Sequence, residues 1–163
     1  LDSTYPIYKF EFINMHPATD NVQFLFNMSS DSGSNYNVTK TTTYFLAEHN
    51  ATGGSANLSY QSAKDLAQST DFQKLMTDLG NAADENLSGY LTIYNPSSTT
   101  FVKNFMSRTN AQAYSATNIS FDNYIAGYGN TTSAVDAIQF KMSSGTFDGV
   151  IKLYGIKDSW WVL

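Results

Sequence analysis

The two histidines, His16 and His49, are the side chains of this sequence best suited to proton transfer near neutral pH. Each lies beside turn-forming residues, and neither has a serine, aspartate or second histidine at the spacing of a catalytic motif. The nucleophile-elbow, P-loop, zinc-protease and dinucleotide-binding motifs are all missing from the sequence. The sequence therefore predicts no catalytic residues, and we expect the chain not to be an enzyme.

Paired carboxylates and metal ligands give no stronger indication of catalysis. Asp84 and Glu85 are adjacent, so on a regular strand or helix their side chains point in different directions. Carboxylates from distant segments could converge in the fold, which keeps a hydrolase as a third hypothesis. The chain contains no cysteine, which excludes thiolate zinc ligands, and two histidines are too few for a typical catalytic zinc site. We expect no metal and no cofactor.

The loop from Ser29 to Tyr36 has the residue types of a tight structural turn. It resembles the Asp-box hairpin, in which an aspartate accepts backbone N–H groups, a glycine adopts a positive φ and an aromatic residue packs back. These three roles fall on Asp31, Gly33 and Tyr36. Asp31, Gly33 and Asn35 also alternate as calcium-loop ligands do, but one carboxylate is too few for calcium.

The C-terminal apolar residues are the candidate binding residues. Trp160 and Trp161 are adjacent aromatic residues that could stack on a carbohydrate ring. Together with Val162 and Leu163 they could instead form an interface with another polypeptide, because a contiguous exposed apolar patch usually marks an interaction site. Seven Asn-x-Ser/Thr sequences would be glycan acceptors in a secreted eukaryotic chain.

Charge and hydropathy exclude two classes of partner. The chain has 163 residues and a formal net charge of −5, which argues against nucleic-acid binding because that usually requires a clustered basic surface. No apolar run approaches the roughly 20 residues of a membrane-spanning helix, so we expect no membrane insertion. The first residue is Leu1 rather than methionine, which leads us to expect a segment of a longer protein or a processed product.

Alternating apolar and polar residues predict an all-β fold. Eleven tyrosines, eleven phenylalanines and many Asn, Ser and Thr residues suit half-buried strands joined by turns. The clearest strands are predicted at Ile7–Ile13, Val22–Met28, Thr41–Glu48, Leu87–Asn95, Val135–Met142 and Gly149–Ile156. Weaker strand patterns occupy Thr100–Met106, Ala113–Asp122 and Asp122–Gly127. We expect the second and third strands to form one antiparallel hairpin and the last two strands to form another.

One short helix is predicted at residues 71–79. Thr70 is a suitable N-cap with Gln73 three residues later, and Gly80 occupies a typical C-terminal position. Apolar residues within this segment recur at helical spacing. We expect one jelly-roll-like antiparallel β-sandwich domain over residues 1–157, followed by an apolar extension or the start of a linker at residues 158–163.

Several segments of the sequence, taken in order, form a recurring pattern of motifs. Ala137–Lys157 contains an I-x-F strand, an SSG turn and a final G-x-I-K-L-Y-G strand. An aromatic-rich first strand, the P-A-T-D sequence at Pro17–Asp20 and the segment Asn86–Pro96 also fit. In this order the segments resemble β-sandwich domains of structural proteins of tailed bacteriophages, notably marine phages. The resemblance spans about Ile7 to Lys157 and rests on residues that form the fold, so it transfers no functional residue.

The resemblance implies a non-enzymatic domain located in the virion. Such domains belong to capsid decorations, head fibres, tail fibres or baseplates, so we expect other virion proteins or further copies of this chain as partners. The alternative is a carbohydrate-binding module that recognises host or environmental glycans and so supports host adhesion. A shallow groove lined by tyrosine and asparagine would favour a sugar, whereas a flat apolar patch would favour assembly.

Overall fold

The computed structural model describes residues 1–114 and 118–158. Within these residues it contains ten strands and no helix, so no helix is long and apolar enough to cross a membrane. The strands are β1 (Ile7–Pro17), β2 (Val22–Ser29), β3 (Lys40–Asn50), β4 (Ala56–Tyr60), β5 (Gln73–Leu79), β6 (Leu87–Tyr94), β7 (Lys103–Ala113), β8 (Ile119–Gly129), β9 (Ala137–Met142) and β10 (Phe147–Ile156).

The strands form two antiparallel layers that branch from β7. Seven strands pair in the order β10-β1-β6-β7-β8-β3-β4, and three strands pair in the order β5-β2-β9. In the described part of the chain, the ladders of the two layers are joined through one residue pair, Leu79 of β5 with Ala113 of β7. The result is an all-β, sandwich-like fold, as the alternation in the sequence predicts.

Aromatic side chains fill the space between the layers. Tyr8, Phe10 and Phe12 of β1 are buried on one face of the seven-stranded layer, because successive strand residues point to opposite faces. The Phe12 ring lies 5.1 Å from the Phe24 ring of β2, and Phe26 lies 5.0 Å from Phe105 of β7, both edge to face. Such pairs add to the free energy gained from apolar burial.

The helix predicted at residues 71–79 is wrong, since this segment contains β5. Relative to β2, β5 carries extra residues at two places, around Leu75 and around Asp78. Each bulge interrupts the two-residue alternation, so Leu75, Met76 and Leu79 are all buried although no single face of a regular strand could hold them. Asp78 adopts a positive φ of 57° at the second irregularity. The resulting sequence pattern is indistinguishable from helical spacing.

Both predicted hairpins are also wrong, although their strands exist. β2 pairs with β5 and β9, whereas β3 pairs with β4 and β8. At the other end, β9 pairs with β2 and β10 pairs with β1, so the turn at residues 143–146 carries the chain from one layer to the other. The two weak patterns between 113 and 127 belong mainly to one strand, β8, and β4 has no predicted counterpart.

Candidate functional site

One face of the seven-stranded layer points away from the aromatic core. On this outer face, one residue from every strand lies in cross-strand register: Lys152, Glu11, Tyr90, Arg108, Tyr124, Phe45 and Tyr60. We call this set the cross-strand row. Side chains in directly paired positions have Cβ atoms about 4.5–5.5 Å apart, so neighbours in such a row touch.

The centre of the cross-strand row is a tight stack. The Tyr124 and Phe45 rings are parallel within 4° at 4.8 Å, and the Arg108 guanidinium carbon lies 4.7 Å from the Tyr124 ring centre. Phe45 and Arg108 come from the strands on either side of β8. Both faces of the Tyr124 ring are therefore covered, which leaves its edge towards solvent.

Asp122 fixes the guanidinium in this stack. Arg108 donates two hydrogen bonds to it, Nε to Oδ1 at 3.0 Å and an Nη to Oδ2 at 2.7 Å, and the Tyr124 hydroxyl donates to Oδ2 at 3.0 Å. The hydrogen bond from Arg108 lowers the pKa of Asp122, and the same contact raises the pKa of Arg108. A bidentate pair of this kind orients both groups, so Asp122 fixes the positions of the Arg108 and Tyr124 side chains in the stack.

Besides a depression of about 260 Å³ that row residues including Phe45, Tyr90 and Tyr124 line, two further shallow depressions flank the row. The first, of about 330 Å³, is floored by Ala126 and Gly127 on β8 and bordered by Thr43, Met106 and other residues of β3 and β7. We call it the apolar depression, because its floor consists of small residues beside the exposed Met106 side chain. The second, of about 280 Å³, is the polar notch, lined by Ser88, Gly89, Tyr90, Arg108, Asn110 and Asp122.

The edge of the layer beyond Phe45 is also apolar. Leu58 and Tyr60 of β4 are 69% and 57% exposed, and their register with β3 places them on the outer face. β4 pairs with β3 on one side only among the described strands. An exposed apolar strand edge is a site at which another chain can pair or pack.

The structure brings the three predicted turn residues together. Asp31 Oδ1 accepts hydrogen bonds from the Asn35 backbone N–H at 2.8 Å and from the Ser29 hydroxyl at 2.7 Å. Its Oδ2 accepts from the Asn35 side-chain amide at 2.7 Å. Gly33 has a φ of +80°, and an added Cβ there would lie 2.9 Å from the Tyr36 hydroxyl. The carboxylate serves the turn itself, with its hydrogen bonds directed inward.

The two histidines lie in different places relative to the adjacent carboxylates. His16 Nδ1 lies 2.7 Å from the Glu85 backbone oxygen, whereas His49 is exposed on β3. The buried Glu85 side chain accepts the Ala82 N–H at 2.9 Å, and Asp84 is exposed. Across residues 1–114 and 118–158 no group of three or more histidines and carboxylates could hold a metal ion.

Trp160, Trp161, Val162 and Leu163 lie outside the described residues. Asn27, one of the seven Asn-x-Ser/Thr asparagines, is fully buried and hydrogen-bonded within the domain, so its side chain is not accessible to a glycosylating enzyme in the folded protein.

The cross-strand row was not predicted from the sequence. Alternation shows that its members face one way on their own strands, but not that they lie side by side.

No family model, curated protein or solved structure matches this chain.

Proposed function

We propose that this chain is a non-enzymatic structural domain of a bacteriophage virion. It is displayed on the particle surface and uses its outer face to assemble with other virion proteins, including copies of itself, or to support host adhesion. The observation that supports this proposal is the ordered cross-strand row, which lies beside the apolar depression on the outer face of the seven-stranded layer. The order of sequence motifs that resembles phage β-sandwich domains supplies the virion context.

The character of the outer face favours a polypeptide partner. The Tyr124 ring has both faces covered by its neighbours in the row, so it cannot act as a stacking platform for a sugar. The exposed Met106, Leu58 and Tyr60 side chains instead present apolar edges to a flat partner. Because the central stack is already ordered, little side-chain entropy is lost when a partner binds.

The chain path supports a jelly-roll-like fold as part of this proposal. The first strand pairs with the last, β2 pairs with β9, and β3 pairs with β8. This nested pairing is the pattern that double-sheet jelly rolls generate from two Greek keys, an architecture common in viral capsid domains. This fold differs from an ideal eight-stranded jelly roll in that its layers are unequal, with seven strands in one and three in the other.

The proposal is tested in purified particles. We expect mass spectrometry to find the chain in the virion and a particle map to place its outer face against another polypeptide. Met106→Glu should reduce incorporation into particles at least about tenfold, because a carboxylate in an apolar contact costs more than 1.4 kcal/mol. Phe101→Glu is the control, since Phe101 is 69% exposed outside the strands and the row. Absence of the chain from particles would refute the virion assignment.

A second candidate function is carbohydrate binding at the polar notch. Its lining combines the exposed Tyr90 ring with hydroxyl, amide, guanidinium and carboxylate groups, a mixture that suits a sugar. Arg108 and Asp122 neutralise each other there, which favours a neutral glycan. Calorimetry with host-surface glycans tests this candidate. Binding that is lost in Tyr90→Ala and kept in Met106→Glu would support it over assembly. The Trp160 and Trp161 stacking hypothesis stays a prediction.

A further inference from the structure

Lys40, at the start of β3, is a fully buried lysine that contacts an asparagine side chain. Its Nζ lies 2.5 Å from Oδ1 of Asn27 on β2 and 2.7 Å from the Val38 backbone oxygen. Asn27 is also fully buried. Because a carbonyl bond is about 1.2 Å long, the Asn27 carboxamide carbon is within about 3.7 Å of the amine. Attack on this carbon requires the amine to come within about 3–3.5 Å and to turn its lone pair from the hydrogen bond towards the carbon.

The Asn27 carboxamide is held by three further hydrogen bonds. Its Oδ1 accepts the Met28 backbone N–H at 2.9 Å, and its Nδ2 donates to the Tyr36 and Thr70 backbone oxygens at 2.6 and 2.9 Å. An N–H aimed at Oδ1 would stabilise negative charge that develops on this oxygen. Two carbonyl oxygens aimed at Nδ2 would likewise favour a nitrogen that gains a proton.

The surroundings of Lys40 lower the pKa of its amine. Its amine is surrounded by the Asn27 amide from β2, the Val38 carbonyl from the preceding segment and, at longer range, the exposed Asp71 carboxylate. Desolvation lowers the pKa of Lys40 to about 8, and the field of Asp71 opposes this shift only in part. Roughly half of such amines are neutral near pH 8, and only a neutral amine is nucleophilic.

We propose that Lys40 and Asn27 form an intramolecular isopeptide bond after folding. The Nζ lone pair attacks the Asn27 side-chain carbon, and the carbonyl electrons move onto Oδ1 beside the Met28 N–H. One proton passes from Nζ to Nδ2, the carbon–Nδ2 bond breaks, and Nδ2 leaves as ammonia. The product is a secondary amide between the two side chains, and the step consumes no oxidant, reductant or co-reactant.

This bond would join the two layers of the sandwich. Asn27 belongs to the three-stranded layer and Lys40 to the seven-stranded layer, so the cross-link would close the connection between β2 and β3 covalently. A covalent tie of this kind stabilises mainly by restricting the unfolded chain. It is independent of whether the outer face binds a partner.

The measurement is the intact mass of the folded wild-type chain after incubation at about pH 9, where most Lys40 amines are neutral. We expect a loss equal to one ammonia molecule. Trypsin should then fail to cleave after Lys40 and release Phe10 to Lys64 as one linked peptide. At pH values below the Lys40 pKa, the rate of ammonia loss should increase about tenfold for each unit by which the pH is raised, because the neutral fraction of the amine increases by the same factor.

Variants separate this reaction from other losses of ammonia. Lys40→Arg and Asn27→Ala should each keep the mass that their sequence gives. Lys103→Arg is the matched control. Lys103 is also fully buried, and its hydrogen bonds within the described residues go to the Phe101 and Thr131 backbone oxygens, so this variant should still lose ammonia.

Two results would overturn the proposal. One is an unchanged mass in wild-type protein that near-ultraviolet circular dichroism shows to be folded. The other is an ammonia loss with normal cleavage after Lys40, which would indicate cyclisation of an asparagine onto its own backbone. Both are read on the wild-type chain, so a variant that fails to fold does not affect the outcome.

Discussion

Each buried side-chain nitrogen and oxygen in the described part of the chain has a hydrogen-bond partner. The Thr42 hydroxyl donates to the Gln73 side-chain oxygen at 2.6 Å, and the Tyr44 hydroxyl donates to the Asn123 side-chain oxygen at 2.6 Å. An unpaired polar group in such a core costs about 1–3 kcal/mol. At the residue scale, polar groups inside this domain are therefore fixed in place by their partners.

Asp31 gives a prediction about pH. Hydrogen bonds from the Asn35 side chain and backbone and from Ser29 lower the pKa of Asp31 to about 2. Since this pKa lies below the unfolded value of 3.8, the charged group stabilises the fold above about pH 4, and that contribution is lost as the pH falls towards 2. Asp31→Asn should lower the melting temperature at about pH 7 and match the wild type near pH 2.

The control for this experiment is Asp84→Asn, because Asp84 is exposed. Its melting temperature should follow the wild type at every pH. An Asp31→Asn effect of equal size at both ends of the pH range would show that the turn depends on shape and not on the carboxylate charge.

At the element scale, irregularities in two strands, β1 and β5, change which side chains face the core. β1 carries one extra residue relative to both of its neighbours, between Ile13 and His16 against β10 and between Phe12 and Met15 against β6. Asn14 lies at this bulge with a positive φ of 51°. The bulge resets which face each later residue of β1 occupies.

A substitution at Asn14 tests this bulge. Asn14→Val should lower the free energy of unfolding by about 1–3 kcal/mol, because a β-branched residue is strained at positive φ. Asn14→Gly is the matched control, since glycine adopts this conformation freely and the Asn14 backbone N–H still donates to the Ser88 hydroxyl. Urea unfolding measures both. Equal stability of the two variants would contradict a left-handed conformation at this position.

At the scale of the whole molecule, the two layers depend on a shared aromatic core. Phe24 of the three-stranded layer is fully buried and meets Phe12 of the seven-stranded layer edge to face. Among the described residues, the strand ladders of the two layers share one residue pair, Leu79 with Ala113. Their association therefore rests on side-chain packing.

Phe24→Ala should lower the free energy of unfolding by about 3–5 kcal/mol, because it removes a large buried side chain and leaves a cavity. Since both layers border this cavity, thermal unfolding should remain a single transition at a lower temperature. Phe101→Ala removes an exposed ring and should change stability by less than about 0.5 kcal/mol. Two separate transitions in Phe24→Ala would show that the layers fold independently.

The amino-acid sequence by itself determined the strand class and most strand positions. Alternation predicted the strand at Ile7–Ile13, because the residue types themselves follow the two-residue period of a strand. In the structure Tyr8, Phe10 and Phe12 of this strand are buried. The turn at Asp31 and Gly33 was also readable, since its hydrogen bonds and its positive φ arise within a few residues.

Only the tertiary structure decided which strands pair and what they bring together. Pairing joins segments far apart in the chain, as β1 with β10, and local patterns carry no information about such partners. The same applies to β5, whose bulges exist only against β2. The stack of Arg108, Tyr124 and Phe45 and the contact of Lys40 with Asn27 likewise depend on tertiary register and packing. Both arrangements depend on contacts between residues that are distant in the sequence, and local residue patterns do not specify such contacts.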